Sequence, residues 1–393
     1  MNKSMIRYLL AKLLLIEAML LCVPIVVALL NLKNDFVVKD SPTVFISLFA
    51  TIAILLILGG IGTLFKPKDF HIYAKEGVLI VALCWILWSF FGALPFVFSG
   101  QIPNIIDAFF EISSGFTTTG ATILNDVSVL SPSLLFWRSF THLIGGMGVL
   151  VFALAIMDNN KNSHLEVMKA EVPGPVFGKI VSKLKNTAQI LYYLYLALFF
   201  LFVIIYFRAG MPLYDSFIIA MGTAGTGGFT VFNDGIAHYH STLITYLVSF
   251  GVLVFGVNFN LYYYIMLRKF KAFFGDEELR TYLMIVGVSS LLIACNILHL
   301  YHNFADSFEM SFFQVSNVIT TTGFGFGNTV DWPLFSQFLL LMLMMIGGSA
   351  GSTAGGMKVI RFLILARIGK NQIRSMLSPN RVMTLHINGS SLD

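Results

Sequence analysis

The sequence predicts an all-α polytopic membrane protein of repeated helix–pore loop–helix units around a pore. Three observations predict it: an apolar composition, eight apolar runs of membrane-crossing length, and one Thr/Gly-ended apolar segment that occurs three times between runs. Of 393 residues, 57% are hydrophobic and only 11% charged, with a mean hydropathy of +0.82. A soluble domain carries about 25% charge, so lipid is the solvent of most of this chain.

Crossing a hydrocarbon core takes about 20 apolar residues. Such runs occupy residues 8–30, 43–65, 78–98, 134–157, 190–207, 243–267, 282–301 and 335–346 with its continuation. The basic residues fall between alternate runs. Lys3 and Arg7 precede the first, and Lys66, Lys68 and Lys75 follow the second. Lys161, Lys169, Lys179, Lys183 and Lys185 follow the fourth, and Arg268, Lys269 and Lys271 the sixth. Arg361, Arg367, Lys370, Arg374 and Arg381 follow the eighth. If each run crosses once, all lie on one side, which the positive-inside rule makes the cytoplasm, with both termini there. The net charge of +5 then reads as topology and calls for no nucleic-acid partner. The first run exceeds a signal-peptide core and lacks a small-x-small cleavage site, so it is expected to be retained. Cys22, Cys84 and Cys295 lie inside apolar runs without CxxC or Cys/His spacing; they are expected to be packing residues rather than disulfides or metal ligands.

The repeated segment reads Asp107-Ala-Phe-Phe-Glu-Ile-Ser-Ser-Gly-Phe-Thr-Thr-Thr-Gly120, then Asp215-Ser-Phe-Ile-Ile-Ala-Met-Gly-Thr-Ala-Gly-Thr-Gly227, then Asp306-Ser-Phe-Glu-Met-Ser-Phe-Phe-Gln-Val-Ser-Asn-Val-Ile-Thr-Thr-Thr-Gly323. Matching on the last glycine gives separations of 107 and 96 residues, each enclosing two apolar runs. Asp107, Asp215 and Asp306 are placed as N-caps of short helices, where a carboxylate accepts free backbone N–H groups. The third segment is longer, through either one more helical turn or a displaced cap.

Irregular backbone at membrane depth survives only buried in protein or lining water, so three such breaks imply an aqueous path. A short helix that stops midway aims its negative C-terminal end at the break, which favours a cation. The turns are Thr118, Thr119 and Gly120; Gly225, Thr226 and Gly227; and Thr321, Thr322 and Gly323. Glycine lets carbonyls turn inward, Thr adds a neutral hydroxyl, and rings of such oxygens can replace the hydration shell of an alkali cation. An enzymatic alternative would use Ser349 or Ser352 as nucleophile with His142 as base, but nothing in the sequence orients that histidine.

At these residues the chain resembles the Trk/Ktr/HKT superfamily of potassium transporters, in particular the bacterial TrkH/TrkG type. The similarity covers nearly the whole chain. It is carried by Ser114-Gly-Phe-Thr-Thr-Thr-Gly-Ala-Thr122, His142-Leu-Ile-Gly-Gly-Met-Gly148, Gly225-Thr-Gly-Gly-Phe229, Thr320-Thr-Thr-Gly-Phe324 and Gly347-Gly-Ser-Ala-Gly-Ser-Thr-Ala-Gly-Gly-Met-Lys358. The resemblance implies that residues 1–70 form an additional N-terminal helix pair and that 71–160, 161–270 and 271–368 are pore repeats, three of an expected four. Residues 369–393 are then a cytoplasmic linker or tail. It implies K+ uptake through a filter at the nine turn residues, with K+ as transported ion and no covalent cofactor. In plant relatives serine at the position of Gly120 goes with Na+ transport, so glycine here favours K+ and leaves Na+ as the alternative. The expected location is the bacterial inner membrane, and the expected partners are lipid, a second copy of the chain and a cytosolic nucleotide-binding subunit of the TrkA type. Because a fourth repeat is expected, the chain reads as a truncated or split product, either inactive or completed by a separately encoded repeat.

The stretch 347–358 interrupts the eighth run with Gly, Ser, Ala and Thr, and each interior Gly weakens a helix by about 1 kcal/mol. The resemblance makes Gly347, Gly348, Gly351, Gly355, Gly356 and Lys358 an intramembrane gate just below the filter. The alternative is a small-residue face for close helix packing. Lys358 is either a pore-facing cation barrier or a side chain reaching to the interface.

Overall fold

The computed structural model describes residues 2–30, 40–68, 74–148, 184–377, 385–388 and 390–392. Two compact units emerge, Met1–Tyr239 and His240–Asp393.

In the first unit, α1 (Lys3–Leu20) and α2 (Cys22–Leu30) form a nearly continuous helix packed on α3 (Pro42–Leu64), and α4 (Ala74–Ser99) packs on α1 and α3. A 12-residue helix, α5 (Ile105–Phe116), lies between α4 and α6 (Pro132–Gly146). The next repeat begins with α7 (Leu184–Arg208), which packs on the 13-residue α8 (Leu213–Gly225). Helix α6 contacts both short helices.

The second unit opens on α9 (Thr242–Phe255), followed by α10 (Phe259–Met266) and α11 (Phe270–Gly275). Helix α12 (Glu277–Ile297) packs on the 16-residue α13 (Phe304–Ile319), which also meets α9 and α14 (Leu334–Ile346). Helix α15 (Val359–Leu377) and a hairpin of β1 (Leu385–Ile387) and β2 (Ser390–Leu392) follow. The core around Tyr282, Ile293, Val315, Ile319 and Val359 is fully buried.

Among the described residues, five helices are long and apolar enough to cross a membrane: Lys3–Leu30, Pro42–Leu64, Lys75–Ser99, Gln189–Arg208 and Glu277–Leu300. The sixth expected span is not straight. Its two halves, Thr242–Phe255 and Phe259–Met266, bend by 91°. At the bend Gly256 lies under the Tyr282 hydroxyl, with a methyl of Thr320 also close, and Asn258 caps the new helix by accepting from the Asn260 N–H. The eighth span stops after 13 residues, about 20 Å of helix against a hydrocarbon core of about 30 Å. The far end of the fourth span, the basic loop after it and the segment 378–384 lie outside the described residues. Of the cysteines, Cys84 is buried as a packing residue should be, whereas Cys22 and Cys295 are exposed on their helices.

The expected N-caps shift by one helical turn. The cap positions are Asn104, Pro212 and Asn303, each three residues before the aspartate. Asn104 accepts from the Ile106 N–H and Asn303 from the Asp306 N–H. Asp107, Asp215 and Asp306 sit in the first turn, where a carboxylate still faces the positive helix end. The longer third segment is one extra turn of helix: α13 has 16 residues where α5 has 12.

Candidate functional site

All three short helices end the same way. Thr118, Thr226 and Thr321 have left-handed backbone, with φ of 53°, 51° and 56°. The N–H of each bonds back three residues, to Gly115, Thr223 and Val318, and the next N–H bonds back five, to Ser114, Gly222 and Asn317. This is the Schellman ending, whose left-handed position is normally glycine. A β-branched residue there is strained, and such strain persists only where the surroundings over-determine it. Two residues later comes a glycine with φ of 74°, 79° and 77°: Gly120, Gly228 and Gly323.

This geometry corrects the register of the second turn. Gly225 is the last residue of α8, and the triplet equivalent to Thr118-Thr119-Gly120 and Thr321-Thr322-Gly323 is Thr226-Gly227-Gly228. The sequence offered Gly227 as the match because it ends a Thr-Gly pair; the backbone turn, not the dipeptide, sets the equivalence. Gly228 was thus missed, although Gly225-Thr-Gly-Gly contained it.

The outer two turns carry paired hydroxyls. Thr117 meets Thr119 at 2.8 Å and Thr320 meets Thr322 at 2.7 Å. The second turn has Gly225 and Gly227 at these places because α6 fills the space. A Cβ on Gly225 would stand 2.3 Å from the His142 carbonyl oxygen, and one on Gly227 would stand 2.6 Å from the His142 ring. Three residues on, a Cβ on Gly145 would lie 2.0 Å from the Phe116 carbonyl oxygen. The glycines of His142-Leu-Ile-Gly-Gly thus let one helix press on the ends of both α5 and α8.

Charged residues inside the first unit support the turns. Glu111 and Arg138 are fully buried and pair at 2.5 Å. Glu111 also accepts from the Thr122 hydroxyl and the Ile123 N–H, both at 2.9 Å. The Arg138 guanidinium lies 3.4 Å from the centre of the Phe229 ring, which stacks on His142 at 4.1 Å. Among the described residues neither ring nitrogen of His142 has a hydrogen-bond partner; in the second unit the Ser352 hydroxyl donates to the Ser349 carbonyl. Two charges within apolar sequence are a signal that could have found Glu111 and Arg138, since such charges pair inside membranes.

Outside the helices, Asp126 accepts from the Ser128 hydroxyl and N–H and from the Asn233 amide, and these bonds hold its carboxyl below the ordinary value. Asn233 in turn accepts from the Val127 N–H at 3.0 Å, so the loops after the first and second turns are clasped. The Tyr239 hydroxyl donates to Asp215 at 3.2 Å; burial, then the Asp215 charge, push it up.

In the second unit, residues 347–358 leave the helix altogether. Gly347, Gly351, Gly356 and Lys358 all have positive φ, so this is not a helical small-residue packing face. The neck is closed by the Met357 N–H to Met345 O and the Lys358 N–H to Ile346 O. The loop is held at the bend of α9–α10: Ser349 N–H donates to Gly256 O, Phe259 N–H to Gly351 O and the Thr353 hydroxyl to Phe255 O. Glu278, buried at the start of α12, accepts from the N–H groups of Ala350 at 2.7 Å and Ile360 at 3.1 Å. Lys358 is buried, its ammonium donating to Ala354 O in the same loop, so it does not reach outward to an interface. Gly355 N–H donates to the Thr321 hydroxyl, joining the loop to the third turn. Glu278 and the bend at Gly256 gave no periodic signal in sequence.

Residues 45–393 match the family model described as TrkH, cation transport protein. The Trk system potassium uptake protein TrkH of Salmonella typhimurium is 36% identical over 328 residues, 81% of this chain and 67% of that protein. TrkG of Escherichia coli is 32% identical over 347 residues, 87% of this chain and 71% of its own length. The crystal structure of the potassium transporter TrkH from Vibrio parahaemolyticus superposes with a TM-score of 0.86 at 30% identity, covering all of this chain and 80% of that one. The chain is a multi-pass membrane protein that belongs to the TrkH cation-transport family.

Proposed function

We propose that this chain takes up K+ across the bacterial inner membrane, with backbone carbonyls and Thr hydroxyls of the three Thr/Gly turns replacing water around the ion. The observation that carries the reading is the left-handed Thr repeated at the same point of three helix endings. A strained, rigid turn with carbonyls free of helical bonding suits a dehydrated cation whose preference depends on oxygen number and field. The negative C-terminal ends of α5, α8 and α13 add attraction. The filter comprises Thr118, Thr119, Gly120, Thr226, Gly227, Gly228, Thr321, Thr322 and Gly323, and glycine at 120 favours K+ over Na+. Residues 347–358 act as the gate, moving by release of the bonds to Gly256, Phe259 and Thr321. The chain works as a dimer with both termini cytoplasmic, and a TrkA-type nucleotide-binding subunit docks on the basic cytoplasmic segments.

A second reading, that conduction needs a fourth repeat supplied outside these residues, is favoured by three such turns among the described residues against the four that the family resemblance implies. Growth of a K+-uptake-deficient bacterium at limiting K+, with this chain alone and with a further repeat supplied, tests both. Rescue by the chain alone supports the first reading and excludes a required fourth repeat. Rescue only with the added repeat supports the second, and rescue by neither contradicts K+ uptake.

A further inference from the structure

Two of the three short helices carry a long polar side chain at one register, three residues before the carbonyl that closes the Schellman ending: Glu111 before Ser114 and Gln314 before Asn317. Each reaches the segment leaving its turn twelve residues on. Glu111 accepts from the Ile123 N–H at 2.9 Å, and the Gln314 amide donates to the Phe326 carbonyl at 2.7 Å. Both side chains are buried. The repeated offset places the brace on the exit segment, the one end of the turn that the helix ending leaves unfixed.

The second short helix has Ile219 at this register. Its exit segment is held from α6 instead, by Phe229 against the His142 ring and under the Arg138 guanidinium. Since Arg138 also pairs with Glu111, one guanidinium ties the exits of the first and second turns. The third exit has its own additional tie, the Asn317 side chain accepting from the Phe324 N–H at 3.2 Å.

We infer that Glu111 and Gln314 are specificity-determining positioning residues: by fixing the exit segments of the first and third turns they set the carbonyl spacing that separates K+ from Na+. This rests on the filter reading above. A left-handed Thr relaxes unless its surroundings hold it, and a turn free to contract around a smaller ion loses discrimination. Neither side chain touches the ion; each acts through the backbone it holds.

The test measures K+ and Na+ uptake per membrane-inserted chain in an uptake-deficient bacterium supplied with whatever repeat the unaltered chain requires. Gln314→Leu removes the third brace without stranding a charge. Glu111→Leu with Arg138→Met removes the first as a neutralised pair, because Glu111→Leu alone would leave Arg138 buried and without its carboxylate. Each is expected to lower the K+/Na+ uptake ratio about tenfold, the effect of one buried hydrogen bond, while Ile219→Leu keeps the ratio. If Gln314→Leu does not insert, Gln314→Met keeps the length, lacks the donor and is expected to lower the ratio equally. An unchanged ratio in the Gln314 variant that inserts, or equal loss of both ions, overturns the brace. No K+ preference in the unaltered chain overturns the filter reading itself.

Discussion

The N–H of Gly355 donates to the hydroxyl of Thr321 at 2.8 Å, so the non-helical loop and the third Thr/Gly turn share a hydrogen bond. The same hydroxyl donates to the Thr320 carbonyl at 2.7 Å. Thr321→Val keeps the β-branched shape and removes both contacts. One such bond is worth about 0.5–1.5 kcal/mol, which shifts the loop's closed-to-open balance up to about tenfold. The expected outcome is a higher resting K+ flux at equal protein abundance, read by tracer uptake; an unchanged flux argues against the loop as gate.

The loop's neck tolerates no side chain. At Gly347, with φ of 76°, a Cβ would lie 2.2 Å from the Gly355 carbonyl oxygen, and at Gly356 one would lie 2.5 Å from the Gly347 Cα. The obstacles are backbone, which cannot swing away. Gly347→Ala and Gly356→Ala should each destabilise by about 1–3 kcal/mol, lowering the thermal midpoint of the purified protein. Gly369→Ala meets nothing within 4 Å inside α15 and should raise it slightly, since Ala favours helix over Gly by about 1 kcal/mol.

The clasp between Asp126 and Asn233 carries a pH signature. Hydrogen bonds to the ionised carboxylate hold its folded value below 3.8. Its contribution to stability is therefore complete above the unfolded value and is lost as pH falls through the lower folded one. Asp126→Ala should lower the thermal midpoint at neutral pH, and the difference from the unaltered protein should vanish in acid well below pH 3.8. A difference that persists in acid would show that the charge is not what holds the loops.

The membrane class and the repeats were legible because they rest on composition, length and periodicity, whereas the longer third segment left an extra turn and a displaced cap both open until α13 showed 16 residues. The Thr/Gly turns were legible as motifs, but their register was not: Gly227 and Gly228 are identical letters, and only φ and the five-residue closing bond distinguish their places. The break at Gly256 escaped because α9 and α10 are both apolar and uncapped by proline, so one continuous run hid a right-angle bend. Gln314 escaped because its partner is a main-chain group twelve residues away, to which side-chain patterning is blind; the charge of Glu111 was legible, but its bond to the Ile123 N–H was not. Lys358 was undecidable from sequence because its carbonyl partner, Ala354, belongs to the loop it closes.

The most direct measurement is the K+/Na+ uptake ratio of the chain carrying Gly120→Ser, Gly228→Ser or Gly323→Ser, each at a glycine with φ near 75–80° where a side chain strains the turn. The filter reading predicts a K+ preference in the unaltered protein and a reduced ratio in all three variants, Gly228 included. An unchanged ratio in the three variants at normal abundance would contradict it.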